Sequence, residues 1–498
     1  MASLVREVDR SRPGVLLFIA LISIFRLAYC GWFELSLDEG YYWLWSVHPA
    51  LSYYDHPPMA AWIITLFGLL GESERYIRAG AVLCAAVSSY FIYLTSKEVF
   101  NDGRMGLWAA ILLNLTPMFS IGAVVMTPDS PLFMFWSISA YYGVRLADTQ
   151  RPGQWYAIGF FFGLAMLSKY TAALFAPALL LFLLVSQENR TWLFRREPYL
   201  AFALSTIIFL PVLVWNAQRD WVSFRFQLSH GFSGQGHGVL QTMGEFWGAQ
   251  TAMAGFFLFF YIIAAAIYAL VWGLRQKRDD ILYLGVITLS LLAFFLANSS
   301  RTRMEGNWPA TMYITAIAAT PFLAARLGVM EGIGGGLLRA GYRFSVVLAA
   351  VAVAYLHVQM VEPVLPAPQK YEISRRIYGW KALAAASDLR LEQLGPGAFI
   401  VANRYQISTL LSYYTKGHRE AYITNGKGRF SFLGSVAHLP GKDAVYVSET
   451  SRDDISRIGP YFERVEQSGE LTITRQGELI REFRFYKCYN YRGGLIEI

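Results

Sequence analysis

The chain has 498 residues, of which 55% are hydrophobic and only 16% are charged, and its mean hydropathy is +0.35. Soluble domains carry about 25% charged residues, so this composition predicts a polytopic membrane protein. The formal net charge of +8 does not indicate a nucleic-acid partner, because most lysines and arginines lie in short loops between apolar segments, where they orient a membrane protein. The three cysteines provide no disulfide framework.

Apolar segments that could cross a membrane recur over the first 361 residues. About eleven candidates satisfy a sliding hydropathy window. They are 14–33, 76–98, 105–126, 131–147, 154–168, 171–187, 199–217, 246–273, 281–297, 308–326 and 344–361. The first lacks a cleavage site of the A-x-A kind and is expected to be retained. The segment 57–71 is apolar but short, which predicts a helix that lies at the interface or re-enters.

Lysine and arginine fall on alternate connections, beginning with the segment before the first span. The positive-inside rule makes that side cytoplasmic, and an odd number of spans then places the C-terminal segment outside. The glycine-rich stretch 234–238 lies in a long outer connection and is expected to be a flexible loop over a site.

The composition changes at the proline-rich stretch 362–368. We therefore predict a transmembrane domain over 1–361 and a soluble α/β domain over 362–498, which is a normal size for a small domain. The expected elements are an amphipathic helix and four short strands. They cover 371–389, 398–402, 444–447, 470–474 and 483–486. The predicted fold class is thus mostly α, a membrane helical bundle with a small C-terminal α/β domain.

Asp38 and Glu39 are adjacent carboxylates just beyond the first span. Charged carboxylates are costly at a membrane face, so such a pair usually has a chemical role or binds an ion. One interpretation is a general base placed where a lipid-borne substrate meets water. The alternative is an acidic pair that caps the helix containing Tyr41 and Tyr42, two aromatic residues expected to line the same pocket.

The sequence YYDHPP at 53–58 forms a second outer motif. Its prolines can begin a helix. Tyr54, Asp55 and His56 could line a polar pocket near a phosphate, or the segment could be only an aromatic interface belt and a turn.

Further ionisable residues lie on the same outer side. Asp129 follows a proline in TPDSP and could be a turn residue or part of the site. Lys169, Arg301 and Arg303 are basic residues where the orienting rule disfavours them, which suggests an anionic ligand such as phosphate, although snorkelling or plain surface charge would also explain them. Glu305 accompanies the arginines. No histidine has the spacing of a metal ligand, so no metal site is predicted.

Taken together, these motifs resemble a known family. The residues that carry the likeness are LDEGYYW at 37–43, YDHPP at 54–58, PDSP at 128–131, LSK at 167–169 and NWP at 307–309. The chain is similar to bacterial family-39-type GT-C glycosyltransferases, the group related to protein O-mannosyltransferases and to the aminoarabinose transferase acting on lipid A. The resemblance covers roughly residues 14–326. It implies that Asp38 is the catalytic acidic residue of the first outer loop and that Asp129 is the second.

The resemblance implies an inner-membrane enzyme with a periplasmic active site. It does not cover residues 362–498, and the odd number of spans is what predicts a periplasmic C-terminal domain. Its donor would be a hexose or pentose on a polyprenyl phosphate such as undecaprenyl phosphate. Its acceptor would be lipid A or lipopolysaccharide, another glycan, or a protein. Departure of the lipid phosphate drives transfer with inversion, and no cofactor is implied. The alternative is a flippase or transporter of lipid-linked sugars, which would be expected to show inverted repeats and broken midplane helices.

Overall fold

A computed structural model describes residues 11–232, 238–365, 374–424, 426 and 428–496. Most of the chain before residue 362 is helical, as the composition predicts. The helices of this part are α1 (Arg12–Tyr29), α2 (Leu37–Val47), α3 (Met59–Gly68), α4 (Glu74–Phe100), α5 (Gly103–Asn114), α6 (Pro117–Gly122), α7 (Asp129–Thr149), α8 (Gly153–Met166), α9 (Phe175–Val185), α10 (Glu197–Ala217), α11 (Val222–Phe232), α12 (Val239–Met253), α13 (Phe257–Gln276), α14 (Asp279–Ser299), α15 (Met312–Val329) and α16 (Gly332–Val361).

Within the described residues, seven helices are long and apolar enough to cross a membrane. They are α1, α4, α10, α13, α14, α15 with the turn before it, and α16. The count of about eleven spans stays a prediction, since several of the other segments form shorter helices.

Two of the predicted spans are not single helices in the structure, so these two predictions were wrong. The segment 105–126 divides into α5 and α6 at Pro117, which begins α6 because proline suits the first turn of a helix and disrupts an interior. The segment 246–273 divides into α12 and α13 at Gly255 and Phe256, both of which have positive φ. The short segment after Pro58 forms α3, a helix of ten residues, as expected for a non-spanning element.

The C-terminal part carries a sheet and three further helices. The helices are α17 (Ser374–Ile377), α18 (Trp380–Leu394) and α19 (Tyr405–Tyr414), and the strands are β1 (Phe399–Ala402), β2 (Ala421–Ile423), β3 (Ala444–Glu449), β4 (Phe462–Arg475) and β5 (Glu478–Tyr491). The strand order is β2-β1-β3-β5-β4, in which β1 pairs parallel with β2 and β3 while β5 pairs antiparallel with β3 and β4.

The predicted strand 398–402 begins one residue before β1, and the other three lie within β3, β4 and β5, although β4 and β5 are far longer and form one hairpin. The predicted helix at 371–389 is divided between α17 and α18 at Gly379, where φ is +92°; its first residues, 371–373, lie outside the described ones. Neither β2 nor α19 was predicted, since each is short.

The first outer loop packs directly on the C-terminal part. Helix α2 lies against α19, and a Cβ on Gly40 would come within 2.9 Å of the Leu410 side chain, so a larger residue at this position would require Leu410 to shift. The Tyr413 hydroxyl donates to the Glu72 carbonyl at 2.6 Å, and the Leu35 backbone N–H donates to the Tyr414 hydroxyl at 2.7 Å. A shared apolar cluster therefore joins α2 and α3 to the C-terminal sheet and helices.

Candidate active site

Glu39 lies fully buried in an ion pair with Arg78 of α4. The guanidinium donates to both carboxylate oxygens at 2.7 Å, and its remaining donors reach the carbonyls of Cys30, Phe33 and Glu34. Glu39 also accepts from the Ser36 N–H at 2.9 Å, which completes a capping box at the start of α2. Because every donor of this buried arginine is satisfied, we propose that Glu39 fixes the loop rather than reacting with substrate.

Asp38, one residue earlier in α2, has a different environment. Its side chain is exposed, yet protein atoms exclude much of the surrounding water, which is the combination expected for a residue that lines a concave pocket. Its carboxylate forms no hydrogen bond or ion pair with another described residue. Burial raises the pKa of Asp38, Arg376 opposes this rise, and the carboxylates of Glu39, Asp55 and Glu305 add to it.

Asp55 forms a two-pronged ion pair with Arg429, which comes from the C-terminal part of the chain. The guanidinium donates at 2.9 Å to Oδ2 and at 2.6 Å to Oδ1. The Tyr41 hydroxyl donates to Oδ2 at 2.8 Å and thereby connects α2 to the same pair. Arg429 also lies over the rings of Tyr54 and Tyr405, at 5.4 and 4.6 Å from their centroids. Asp55 is thus neutralised and held in place.

Asp129 and Lys169 form the second pair of the site. Lys169 Nζ lies 2.8 Å from Oδ1 of Asp129, and the Asn307 amide donates to Oδ2 at 2.7 Å. The two helices α7 and α8 are antiparallel neighbours, so Asp129 at the start of α7 meets the turn that follows α8. Lys169 is almost completely buried. Its charge is therefore held within a low-dielectric part of the site.

His56 lies between these two pairs. The Met59 N–H donates to the Leu167 carbonyl at 3.1 Å and so holds this loop against the Lys169 turn. Burial lowers the pKa of His56 to about 4, with Lys169 acting in the same direction. The imidazole is therefore neutral at neutral pH and is suited to hydrogen bonding rather than to charge neutralisation. Within the described part of the chain its Nδ1 atom is buried without a partner.

The remaining predicted residues are less closely associated with the pocket. Tyr42 is buried, and its ring contacts that of His56. Arg303 is exposed and pairs with Glu245 at 3.1 Å, while Arg301 is exposed and has no ion pair with a described residue. Glu305 is also exposed, but it lies near enough to Asp38 for its charge to raise the pKa of that carboxyl group.

Sequence reasoning missed two arginines, Arg376 and Arg429. Arg376 is the cation that acts most strongly on Asp38. Both follow residue 361, in the part of the chain that the motifs do not reach, and no local pattern distinguishes them from other surface arginines. The C-terminal part reaches these loops through tertiary contacts, among them the docking of α19 on α2 and the pair between Arg429 and Asp55.

The described residues contain no group of three or more histidine, cysteine, aspartate or glutamate side chains able to hold a metal ion. Residues 233–237, which include most of the glycine-rich stretch and His237, lie outside the described residues, so the loop expected there is not tested.

Comparisons with known proteins show what the chain is similar to in sequence and in fold. Residues 55–215 match the family model described as dolichyl-phosphate-mannose-protein mannosyltransferase. The chain is 27% identical to the lipid A galacturonosyltransferase RgtD of Rhizobium johnstonii, over 56% of this chain and 59% of that protein. It is 23% identical to an undecaprenyl phosphate-alpha-4-amino-4-deoxy-L-arabinose arabinosyl transferase of Pseudomonas fluorescens, over 85% of this chain and 83% of that protein.

The chain thus covers about three fifths of the length of the Rhizobium protein. Among solved structures, the chain is similar to ArnT from Cupriavidus metallidurans, with a TM-score of 0.64 and 16% identity over 95% of this chain and 98% of that one. The same protein bound to undecaprenyl phosphate gives a TM-score of 0.63. At this identity the likeness shows the shared fold. The chain is therefore similar in sequence to PMT/ArnT-like transferases, and it is a multi-pass membrane protein that shares the fold of ArnT.

Proposed function

We propose that the protein is a glycosyltransferase that moves a sugar from a polyprenyl phosphate, such as undecaprenyl phosphate, to an acceptor at the periplasmic face of the bacterial inner membrane. The printed names of the two relatives support this class of donor and reaction. The name of the Rhizobium relative favours lipid A as the acceptor, with another glycan or a protein as the other candidates. The solved structures share its fold and include a complex with the lipid carrier.

One observation carries the assignment of the base. Three carboxylates of the outer loops each accept hydrogen bonds from a cation, namely Glu39 from Arg78, Asp55 from Arg429 and Asp129 from Lys169. Asp38 alone among these four has no such partner in the described residues. An unpaired carboxylate with a raised pKa, open to the pocket, is suited to accept a proton.

The chemistry follows from this arrangement. Asp38 removes the proton from the acceptor hydroxyl or amine, whose oxygen or nitrogen then forms a bond to the anomeric carbon. The bond between that carbon and the phosphate oxygen breaks, and its electron pair leaves with the lipid phosphate. Attack opposite to the leaving group inverts the anomeric configuration. Lys169, held by Asp129, would stabilise the developing negative charge, with His56 as a neutral hydrogen-bonding group.

The alternative of transport finds no support, since the relatives described here are named as transferases. Transport would also leave the bond between sugar and phosphate intact, which provides a direct distinction between the two functions.

The experiment is a donor panel with purified protein in detergent. Radiolabelled polyprenyl-phosphate sugars are incubated with the protein and lipid A, and free polyprenyl phosphate and glycosylated acceptor are measured. One donor should be consumed by the wild type, and the rate should fall about 10²- to 10⁴-fold in Asp38→Asn. Asp148→Asn is the matched control, because Asp148 is exposed at the end of α7 far along the chain from the motif. Equal rates in Asp38→Asn and wild type would refute the assignment of the base.

A further inference from the structure

A cavity lies away from the candidate active site, between α1, the α5–α6 break and α16. Its volume is about 390 Å³. The residues that line it include one cation and three other polar side chains, Arg26, Asn114, Ser120 and His357. None of its lining residues belongs to the pocket around Asp38.

Arg26 is the unusual residue of this cavity. It is 1% exposed, and its Nη2 atom is buried without a hydrogen-bond partner. Its side chain forms neither an ion pair nor a hydrogen bond with another described residue. By contrast, the equally buried Arg78 has all of its donors satisfied. A cation left in a low-dielectric region without a counter-ion is strongly unfavourable, so a partner for Arg26 is expected.

The other polar atoms of the cavity also have unused capacity. The Asn114 amide nitrogen is bonded to Ser89 and to the Ala110 carbonyl, but its Oδ1 atom is buried without a partner among the described residues. The His357 Nδ1 atom bonds to the Val353 carbonyl, and its ring packs on Phe25 and Tyr29. These contacts leave Nε2 as the nitrogen that is free to face a ligand.

The rest of the wall is hydrocarbon. Phe18, Ile22, Phe25, Val353 and Val358 line the cavity. Phe25 is 48% exposed, and Val358 has the same exposed fraction. The cavity therefore opens sideways, on the surface of the bundle that faces lipid.

The depth of the cavity is set by its helices. Arg26 lies one turn before the end of α1, and His357 lies one turn before the end of α16. The orientation predicted by the positive-inside rule places both helix ends at the outer side of the membrane. Arg26 then lies close to the boundary between acyl chains and head groups. An anionic group attached to a hydrocarbon chain matches both the buried cation and the apolar wall.

We propose that this cleft binds the phosphate group of an anionic membrane lipid, with Arg26 as the counter-charge and the apolar wall as the seat for the chain. Lipid phosphates are the anions available at this depth, and an arginine fork suits phosphate oxygens. The ligand is either a glycerophospholipid or a second polyprenyl phosphate, which share this chemistry. The inference does not depend on the proposed transferase activity.

The test uses delipidated full-length protein in a neutral detergent. Thermal unfolding is followed while dioleoyl phosphatidylglycerol, polyprenyl phosphate or the zwitterionic dioleoyl phosphatidylcholine is titrated, and native mass spectrometry counts the bound lipids. Arg26→Gln should weaken the apparent affinity for the anionic lipid about 10- to 150-fold, the range for a charge-assisted hydrogen bond. Arg26→Lys should restore part of it. Arg12→Gln is the matched control, because Arg12 lies exposed on the same helix.

A cavity-filling variant keeps the test decisive if Arg26→Gln does not fold. Ala354 lines the cleft and is exposed to lipid, so Ala354→Trp should fold and still block the ligand. If the wild type binds a second polyprenyl phosphate and Ala354→Trp does not, the ligand of the cleft is that carrier. If the protein responds to phosphatidylglycerol alone, the ligand is a phospholipid. The proposal is overturned if phosphatidylcholine binds the wild type as tightly as the anionic lipids. Affinities that stay within about twofold of wild type in both variants would equally overturn it.

Discussion

Arg429 donates two hydrogen bonds, of 2.6 and 2.9 Å, to Asp55, although 374 residues separate them in the sequence. The first outer loop and the C-terminal part of the chain therefore share one ion pair beside the candidate active site. Tyr41 bonds to both the Asp55 carboxylate and the Arg429 carbonyl, so α2 is held by the same contact. The position of Asp38 on α2 thus depends on residues from both parts of the chain.

Breaking this pair should destabilise the protein. Arg429→Gln and Asp55→Asn should each lower the melting temperature in detergent, since hydrogen bonds between charged groups contribute about 1.5–3 kcal/mol when they are partly shielded from water. The double variant should be destabilised by less than the sum of the two single variants, because each one leaves the other's charge unpaired.

The Arg457–Asp454 pair is the control for this cycle. Its side chains are 79% and 44% exposed, and exposed pairs contribute about 0–1 kcal/mol. Arg457→Gln should therefore leave the melting temperature nearly unchanged. Strict additivity of Arg429→Gln and Asp55→Asn would show that the pair does not couple the two parts of the chain.

Lys169 and Arg303 should differ in their effect on carrier binding. Lys169→Ala should weaken binding of free polyprenyl phosphate roughly 10- to 150-fold, because it removes a buried cation from the site. Arg303→Ala should change the affinity little, since this arginine is 58% exposed and already paired with Glu245. The measurement is a titration with the sugar-free carrier in detergent. A larger loss in Arg303→Ala than in Lys169→Ala would move the phosphate site to the 301–305 turn.

The pKa of Asp38 gives a prediction with a definite sign. The pKa of Asp38 in the folded protein is raised above the usual value of 3.8, which applies to the unfolded chain. At a pH between the unfolded and the folded pKa, the folded protein therefore binds more protons than the unfolded chain. Stability contributed by Asp38 therefore decreases as the pH rises through this window. Asp38→Asn should melt at a higher temperature than wild type at neutral pH, and the difference should shrink below the unfolded pKa. Transfer by the wild type should fall as the pH drops through the folded pKa, because the base becomes protonated.

Asp148→Asn should show neither effect. A lower melting temperature of Asp38→Asn at neutral pH would mean that Arg376 stabilises the carboxylate more than burial and its acidic neighbours destabilise it.

The orientation of the chain can be tested with fusions. A reporter that is active only in the periplasm should be active after Leu365 and inactive after Arg278, because the basic connections are expected on the cytoplasmic side. The opposite pattern would place the pocket around Asp38 on the cytoplasmic side. It would also remove the basis for a periplasmic acceptor.

Local motifs were sufficient to propose Asp38, Asp129 and Lys169 as site residues. Each lies close to the end of an apolar segment, and the hydropathy pattern locates such positions directly. The sequence could not identify Arg78 as the partner of Glu39, because Arg78 lies inside an apolar helix and its role appears only when α4 packs against the first outer loop. Arg376 and Arg429 were not predicted for a related reason. Their contribution depends on the docking of α19 against Gly40, a contact between segments that no periodicity relates.

The ion pair between Asp55 and Arg429 also has a consequence for biogenesis. Synthesis proceeds from the N-terminus, so α2, α3 and the loop between them are inserted long before Arg429 leaves the ribosome. Until the C-terminal part has been synthesised and has folded onto α2, Asp55 lacks its counter-charge and Tyr41 lacks its contact with the Arg429 carbonyl. A nascent chain that already resides in the membrane would thus have an incomplete pocket, and maturation of the site would coincide with the last folding step rather than with membrane insertion.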